Sequence, residues 1–319
     1  MRLFLTFVIF SFSFCSLHAQ SLTFVELNCE NLFDTRHDSL KQDHEFLPEG
    51  VRHWTPAKYW HKLNHIAQEI VSCSEQLPDL VALYEVENDS VLHDLTRRSL
   101  LRNAGYEYLM TDSPDRRGID VALLYQPSAF VPLCYEYIEV PLLKGMRHTR
   151  DILYVKGVAE AVDTLHVFVV HAPSRYGGER RSRPFRMQVA QTLQQALAGI
   201  GEAHVLVAGD FNDYAESPAL RWLEEQSLTN VTKRLKGRNG AGGTYRYRGE
   251  WHSLDHVLLS PSLVLQLDSA YINDARFLLG TDALYGGSQP QRSFNGSHFQ
   301  KVGFSDHLPL VVRFRRKMQ

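Results

Sequence analysis

Acids, amides and histidines stand at the ends of six apolar stretches of this chain. The clearest case is 205–212, where small apolar residues run into a glycine, Asp210, a phenylalanine and Asn212. An apolar run of this length, followed by a turn signal, is typical of a buried strand. Taken alone, Asp210 and Asn212 have two interpretations. They are either turn formers, a role that both residue types favour, or a reactive carboxylate with an amide donor beside it. Because the same pattern recurs at other strand ends, we favour the second interpretation.

The other strand-end residues are of the same types, and they are Asn28, Glu30, Glu85, His171, Asp255, Asp306 and His307. Carboxylates without cysteine favour a hard divalent cation over structural zinc. Such a cation with a positioned carboxylate and a histidine suits metal-assisted hydrolysis of a phosphoester. Asparagine amides can donate hydrogen bonds to phosphoryl oxygens. The set therefore predicts one metal-dependent phosphoester site at one edge of the core.

The elements that position these residues alternate between strands and helices. We predict strands over 22–27, 80–84, 119–125, 152–159, 165–170, 205–208, 254–259 and 308–314, and helices beginning at Thr55, Asn88, Pro184 and Ser217. This interleaving favours one α/β domain, with sheets that are partly antiparallel because some strands follow each other directly. The long polar segment 280–303 has two interpretations, a substrate lid or a tolerated surface insertion.

The N-terminus has the layout of a secretory signal peptide, because Arg2 precedes the apolar run 3–14 and small residues follow. We expect cleavage near Ala19, so that 1–19 is removed, 20–319 forms a single catalytic domain, and the product is secreted or periplasmic. The run is too short for a comfortable membrane span. No other stretch approaches that length, and we expect a monomer without a transmembrane segment.

Charge and cysteine content exclude some classes of function. The 319 residues carry a formal net charge of -2, so no global basic field attracts nucleic acid, although a local basic groove stays open. Cleavage leaves Cys29, Cys73 and Cys134, which form neither a disulfide framework nor a zinc site.

Seven short blocks give the chain a family resemblance. In chain order they are LNCENLF (27–33), EVEN (85–88), GIDVA (118–122), HAP (171–173), GDFN (209–212), LDH (254–256) and SDH (305–307). In these blocks and their order the chain resembles the endonuclease/exonuclease/phosphatase superfamily. The resemblance implies a four-layer α/β/β/α sandwich of two mixed sheets flanked by helices.

The resemblance also implies roles for individual residues. On the metal side it implies Glu85 as the principal carboxylate, with Asn28, Glu30 and Asp306 beside the ion. The ion is Mg²⁺ or Mn²⁺, with Ca²⁺ as an alternative. On the catalytic side it implies Asp210 for the attacking water, Asn212 for the phosphate, His307 at the scissile phosphate, Asp255 to orient His307, and the second histidine His171 of the deoxyribonuclease and sphingomyelinase branches. Whether His307 is a base or a phosphate-bound acid stays open.

The substrate is less well defined. Arg175 follows the His171 strand, Arg186 lies near a helix end, and Arg292 belongs to the long loop, so we predict phosphate contacts for these three. We expect Arg180 and Arg181 to lie on a solvated helix face.

The first hypothesis for the function is a metal-dependent phosphodiesterase or nuclease that acts on nucleic acid. The alternatives are hydrolysis of a lipid or small-molecule phosphoester, such as sphingomyelin or an inositol phosphate, and an inactive binding protein. The last is disfavoured because every expected polar position is filled.

Overall fold

The computed structural model describes residues 21–315. The predicted signal peptide and its cleavage point lie outside the described residues. Within 21–315, no helix combines the length and the hydropathy that a membrane crossing needs.

Short strands dominate the described chain. In chain order they are β1 Ser21–Leu32, β2 Leu80–Val86, β3 Glu107–Met110, β4 Asp120–Tyr125, β5 Phe130–Ile138, β6 Ile152–Ala159, β7 Asp163–His171, β8 His204–Asp210, β9 Thr229–Asn230, β10 Tyr245–Tyr247, β11 Glu250–His252, β12 Asp255–Leu259, β13 Leu267–Ile272, β14 Leu279–Thr281, β15 Ser288–Pro290, β16 Phe294–Asn295, β17 His298–Phe299 and β18 Leu310–Arg315. The α-helices are α1 Pro56–Val71, α2 Asp89–Arg97, α3 Glu179–Ala198, α4 Pro218–Glu225 and α5 Pro261–Val264.

Two sheets of six strands each form the centre. The first has the order β13-β18-β1-β2-β4-β3 and the second the order β5-β6-β7-β8-β12-β9. Both are mixed, because β1 with β2 and β7 with β8 are parallel pairs among antiparallel ones. Alternate side chains of the two sheets face each other in one buried cluster that includes Phe24, Ala82, Val167 and Ala208.

Helices cover the outer faces. Leu63 and Ile66 of α1 pack with Leu92 of α2 against the first sheet, and Val189 of α3 and Leu220 of α4 pack against the second. The result is the four-layer α/β/β/α sandwich that the resemblance implies, and that prediction is confirmed. Helix α1 begins as expected: the Thr55 hydroxyl accepts from the Lys58 amide, and proline stands at the first helical position.

The strand register brings the polar strand ends together. In the parallel pair β7–β8, His171 lies opposite Asp210. In the antiparallel pair β8–β12, Asp210 lies opposite Asp255. Parallel β1 and β2 place Asn28 opposite Tyr84, directly before Glu85. One edge of the sandwich therefore carries polar residues from both sheets.

The segment 280–303 is an ordered part of the fold. It contributes to two short hairpins, β14–β15 and β16–β17. The buried guanidinium of Arg246 donates to the carbonyl oxygens of Gly286 and Ser288, both at 2.6 Å, and Lys62 Nζ donates to Ser293 Oγ at 2.6 Å. This segment is held in place from two sides, which favours a fixed wall over a lid.

Candidate active site

His307 and Asp255 form a buried pair at the end of the second sheet. His307 Nδ1 and Asp255 Oδ2 are hydrogen-bonded at 2.8 Å, and the Thr244 hydroxyl donates to the same carboxylate oxygen. Burial alone lowers the pKa of His307, but Asp255, Asp210 and Asp306 together raise it well above its usual range. A carboxylate on one ring nitrogen fixes the tautomer and stabilises the imidazolium. The pair therefore presents a protonated Nε2 to the site.

The carboxylate of Asp210 lies at the centre of the site. Its Oδ2 accepts from Asn28 Nδ2 at 2.9 Å, and its Oδ1 accepts from the backbone N–H of Asn212 at 2.8 Å. His307 Nε2 lies 4.0 Å from Oδ2. Burial, followed by repulsion from Asp255, raises the pKa of Asp210 to about 7. A carboxylate with such a pKa is suited to take up a proton near neutral pH.

Asn212 has a left-handed backbone conformation, and its side chain is hydrogen-bonded to a backbone carbonyl. Its φ is 50°, a left-handed conformation that asparagine tolerates better than most residues. The side-chain amide donates to the Ala172 carbonyl at 3.1 Å, which leaves its second N–H and its oxygen for a ligand. The amide thereby stands beside the end of strand β7.

His171 lies between two acids. Its Nε2 is 3.6 Å from Asp210 Oδ2 and 3.9 Å from Glu85 Oε1. Burial, and then the charges of Arg150, Arg117 and His307, lower its pKa well below the usual value. The neutral ring can donate one hydrogen bond without adding a second positive charge beside His307.

Glu85 and Asp306 are the most accessible carboxylates of the set. Glu85 stands at the end of β2 with φ 60° and its side chain is 13% exposed, 3.5 Å from Arg117 Nη2. The Asp306 side chain is 23% exposed, and one oxygen is 4.0 Å from His307 Nε2. These oxygens fit a hard divalent ion, which takes carboxylate and amide ligands. Glu85 and Asp306 would hold such an ion, whereas the Asn28 side-chain oxygen accepts from the Glu30 backbone amide at 2.9 Å.

Asp210, Asp255 and His307 have the spacing of a metal site, but their contacts fit proton transfer better. One ligand atom each of Asp210, Asp255 and His307 lie within 4.8 Å of one another. Two of these residues already share a hydrogen bond of 2.8 Å. An ion at that point would have to displace a bond that fixes the histidine, so we assign the group to proton transfer.

The Glu30 carboxylate is held by backbone amides of the segment 280–303. Its carboxylate accepts from the backbone amides of Ser293 and Phe294, the latter at 3.1 Å, and burial raises its pKa. Both oxygens are thus engaged by the segment that leads to His307. Glu30 therefore anchors that segment, and its place beside an ion stays a prediction.

The three predicted arginine contacts have different outcomes. Arg186 is 1% exposed and pairs with Asp213 at 3.0 Å and with Glu179, which disfavours the predicted contact with a substrate phosphate. Arg175 is engaged by Glu179 at 3.0 Å and lies over the ring of Tyr214 at 4.3 Å. Arg292 keeps a buried Nε without a partner among the described residues.

Arg292 lies near Tyr245, whose ring contacts that of His307. Burial, and then Asp306, raises the pKa of Tyr245 to about 12, and Arg292 opposes this shift. The ring of Tyr245 lies 4.9 Å from that of His307. Of the three arginines, Arg292 therefore stays a candidate for contact with substrate.

Sequence reasoning missed the residues that support the site. Ser305 Oγ donates to the Asn28 carbonyl and accepts from the His307 amide at 3.2 Å. The Thr244 hydroxyl donates to Asp255, and Lys62 Nζ donates to Ser293. Ser305 had a signal in its own motif, whereas Thr244 and Lys62 stand in segments without any chemical pattern.

Comparisons with known proteins agree with the geometry. The family model described as "Endonuclease/Exonuclease/phosphatase family" matches residues 23–316. Among solved structures, a family protein from Bacteroides thetaiotaomicron is 15% identical with a TM-score of 0.63, covering 93% of this chain and 98% of that one. A mannosyl-6-phosphatase from the same organism is 15% identical with a TM-score of 0.61, covering 91% and 98%.

A human protein extends the structural likeness. The catalytic domain of human Nocturnin is 18% identical with a TM-score of 0.58, covering 93% of this chain and 95% of that one. At these identities the likeness shows the fold. A search of curated proteins found no match.

Proposed function

The chain belongs to the endonuclease/exonuclease/phosphatase family and is a phosphoester hydrolase, and we propose that it cleaves phosphodiester bonds of nucleic acid with the help of Mg²⁺ or Mn²⁺. The observation that carries this proposal is the convergence of Asp210, His171 and His307, with atoms 3.6 and 4.0 Å apart, beside the accessible carboxylate of Glu85. The bound ion supplies charge that neutralises the phosphoryl group.

The proposed reaction follows from the proton positions. Asp210, with a pKa of about 7, accepts a proton from the water whose oxygen attacks phosphorus. Protonated His307 and the amide of Asn212 donate hydrogen bonds to the phosphoryl oxygens, which gain charge in the transition state. The bond to the departing ester oxygen breaks, and that oxygen takes up a proton from solvent. This assigns His307 as the phosphate-binding acid.

The test compares substrates and variants under one set of conditions. The purified protein with Mg²⁺ or Mn²⁺ is offered plasmid DNA, RNA, sphingomyelin vesicles and bis-p-nitrophenyl phosphate. We expect nucleic acid cleavage, and a loss of about 10²–10⁴-fold in turnover for His307→Ala and for Asp210→Asn. The control His298→Ala removes an exposed histidine of β17 and should keep the wild-type rate. Near-wild-type turnover of either site variant would contradict the mechanism.

A lipid phosphodiester is the second candidate. Leu142 and Leu143 are 46% and 36% exposed, and the loop that carries them continues to the basic residue Arg147. Exposed apolar side chains beside basic ones suit a lipid surface. Release of choline phosphate from the vesicles, without cleavage of DNA or RNA, would select this candidate.

We also propose export and a monomeric state. The layout of residues 1–19 supports removal of a signal peptide. The N-terminal residue of the protein secreted by an expressing bacterium should lie near 20, and gel filtration should give the mass of one chain. A retained Met1 would contradict the export proposal.

A further inference from the structure

A cleft lined by arginines lies beside the candidate active site. It has a volume of about 420 Å³, and its walls include Arg116, Arg117, Arg147, Arg150 and Arg181. Asp115 is the only carboxylate among the lining residues that the structure describes, and it is 3.2 Å from Arg150. The cleft is therefore strongly positive in a chain whose formal net charge is -2.

Three of these arginines are free to bind an anion. Arg116, Arg147 and Arg181 are exposed, and none forms an ion pair with another residue of 21–315. Guanidinium groups donate in pairs to phosphate oxygens. Like charges gathered without partners repel each other, so this cluster is explained by an anionic ligand better than by stability.

Buried donors in the cleft wall also lack partners. Arg150 is 6% exposed and Thr149 5% exposed, yet Arg150 Nε and Thr149 Oγ1 have no hydrogen-bond partner among the described residues. A buried donor without a partner destabilises the folded protein. Both residues line the cleft, so its wall holds two donors that no group among the described residues engages.

The cleft shares its wall with the catalytic residues. Arg117 lines it and lies 3.5 Å from Glu85. Arg150 Nη2 donates to the Ala172 carbonyl at 2.8 Å, the same oxygen that accepts from Asn212. A substrate whose scissile phosphate lies at Asn212 therefore extends directly into the arginines.

Aromatic rings complete the lining. Tyr176 is 86% exposed and Phe185 is partly buried, and both line the cleft. An exposed tyrosine beside arginines can stack on a nucleobase. The combination of positive charge and aromatic surface favours a nucleotide over a bisphosphorylated sugar or inositol.

We propose that this cleft, the arginine cleft, binds a second phosphate of a nucleotide substrate, next to the phosphate that is hydrolysed. The proposal rests on the proposed function and assigns the cleft to the phosphate on the other side of the sugar whose phosphate is hydrolysed. No covalent step occurs in the cleft, which acts on substrate affinity and orientation.

The first experiment uses matched chromogenic substrates. Thymidine 5′-(p-nitrophenyl phosphate) is compared with its 3′-phosphorylated form, and thymidine 3′-(p-nitrophenyl phosphate) with its 5′-phosphorylated form. We expect the second phosphate to raise kcat/KM by about tenfold or more in at least one pair, because a charge-assisted hydrogen bond contributes about 1.5–3 kcal/mol. Equal kcat/KM in both pairs would overturn the proposal.

Variants locate the effect in the cleft. Arg147→Gln with Arg181→Gln should abolish the preference, with rates on bis-p-nitrophenyl phosphate within about threefold of wild type. Arg234→Gln, an exposed arginine outside the cleft, is the matched control and should keep the preference. Tyr176→Ala should lower kcat/KM for both nucleotide substrates of the preferred pair by at least about fivefold, since stacking contributes about 1–3 kcal/mol per base. An unchanged preference in the double variant would refute the assignment.

A binding measurement separates this proposal from the proposed function. Calorimetry compares thymidine 3′,5′-bisphosphate with thymidine 5′-phosphate and 3′-phosphate on wild-type protein. Tighter binding of the bisphosphate by about tenfold or more, lost in the double variant, supports the cleft even if nothing is hydrolysed. Hydrolysis of bis-p-nitrophenyl phosphate with equal affinity for all three nucleotides refutes the cleft and leaves the hydrolase.

Discussion

Replacing Asp255 by asparagine removes one negative charge from the centre of the site and keeps the shape of the side chain. Asp255 and His307 are 3% and 6% exposed, and their hydrogen bond of 2.8 Å is little weakened by solvent. Burial lowers the pKa of His307, and Asp255 is the first of the carboxylates that raise it. In Asp255→Asn, the pKa of His307 loses its largest upward contribution. The ring is therefore neutral over more of the pH range.

The size of the effect follows from the two contributions that are lost. A hydrogen bond to a charged partner contributes about 1.5–3 kcal/mol, and a positioned proton donor about 10²–10⁴-fold in rate. We therefore expect kcat to fall about 10²–10³-fold, which is about 3–4 kcal/mol of transition-state stabilisation. KM should change less than about threefold, because the variant acts on the transition state more than on bound substrate.

The assay is release of p-nitrophenol from bis-p-nitrophenyl phosphate, with thermal unfolding as a check on folding. Thr244→Val is the matched control, because Thr244 donates to the same oxygen of Asp255 without carrying a charge. Its kcat should fall less than about tenfold, as expected for a neutral hydrogen bond. If Asp255→Asn keeps more than a tenth of the wild-type kcat, or falls no further than Thr244→Val, the reasoning is refuted.

Three further predictions concern other carboxylates. Glu85→Gln should raise the Mn²⁺ concentration for half-maximal activity by at least about tenfold, and an unchanged metal titration would remove Glu85 from the metal site. Glu30→Ala leaves two buried amides unpaired, so urea unfolding should show a loss of about 2–4 kcal/mol with little change in the Mn²⁺ requirement; the reverse pattern would make Glu30 a ligand. Glu69 is buried with neither oxygen paired among the described residues, and burial raises its pKa well above the usual value. Its folded-state pKa exceeds the unfolded one, so its contribution to stability is complete below about pH 4.3 and is lost as the pH rises. The gain in unfolding free energy from Glu69→Gln should therefore be larger at pH 8 than at pH 5, and equal values would refute this.

The strand-end residues were predictable because strand geometry fixes their meeting point. An apolar run identifies each buried strand, and its polar neighbour must leave the core at the strand end. The pairing of Asp210 with Asp255 then follows from the antiparallel register of β8 and β12. The layers were predicted through the family resemblance. The strands β3, β5 and β13, the short strands β9 to β11 and the hairpins β14–β15 and β16–β17 were not identified.

The contacts that the sequence did not reveal are those between distant segments. Arg186 was placed near the substrate because it lies near a predicted helix end, yet α3 begins earlier, at Glu179, and the Arg186 guanidinium is buried against Asp213 and Glu179. Glu30 stands beside Asn28 in sequence, but the positive φ of 50° at this residue directs it to the amides of Ser293 and Phe294. Local sequence does not encode which buried charge meets which partner, since both are set by how the layers pack.

The separation of charge within the molecule explains why its net charge is a poor guide to substrate. Acids gather at the strand ends, where repulsion from Asp255 helps to raise the pKa of Asp210, and five arginines line the adjoining cleft. The acidic part alone would repel a phosphoester, and a divalent ion removes that repulsion only locally. A substrate with a second phosphate beyond the reach of the ion needs its own positive partner, and the arginine cleft lies where that phosphate must go. The formal charge of -2 of the whole chain thus says nothing of these two opposed local surfaces, each suited to a different part of one nucleotide.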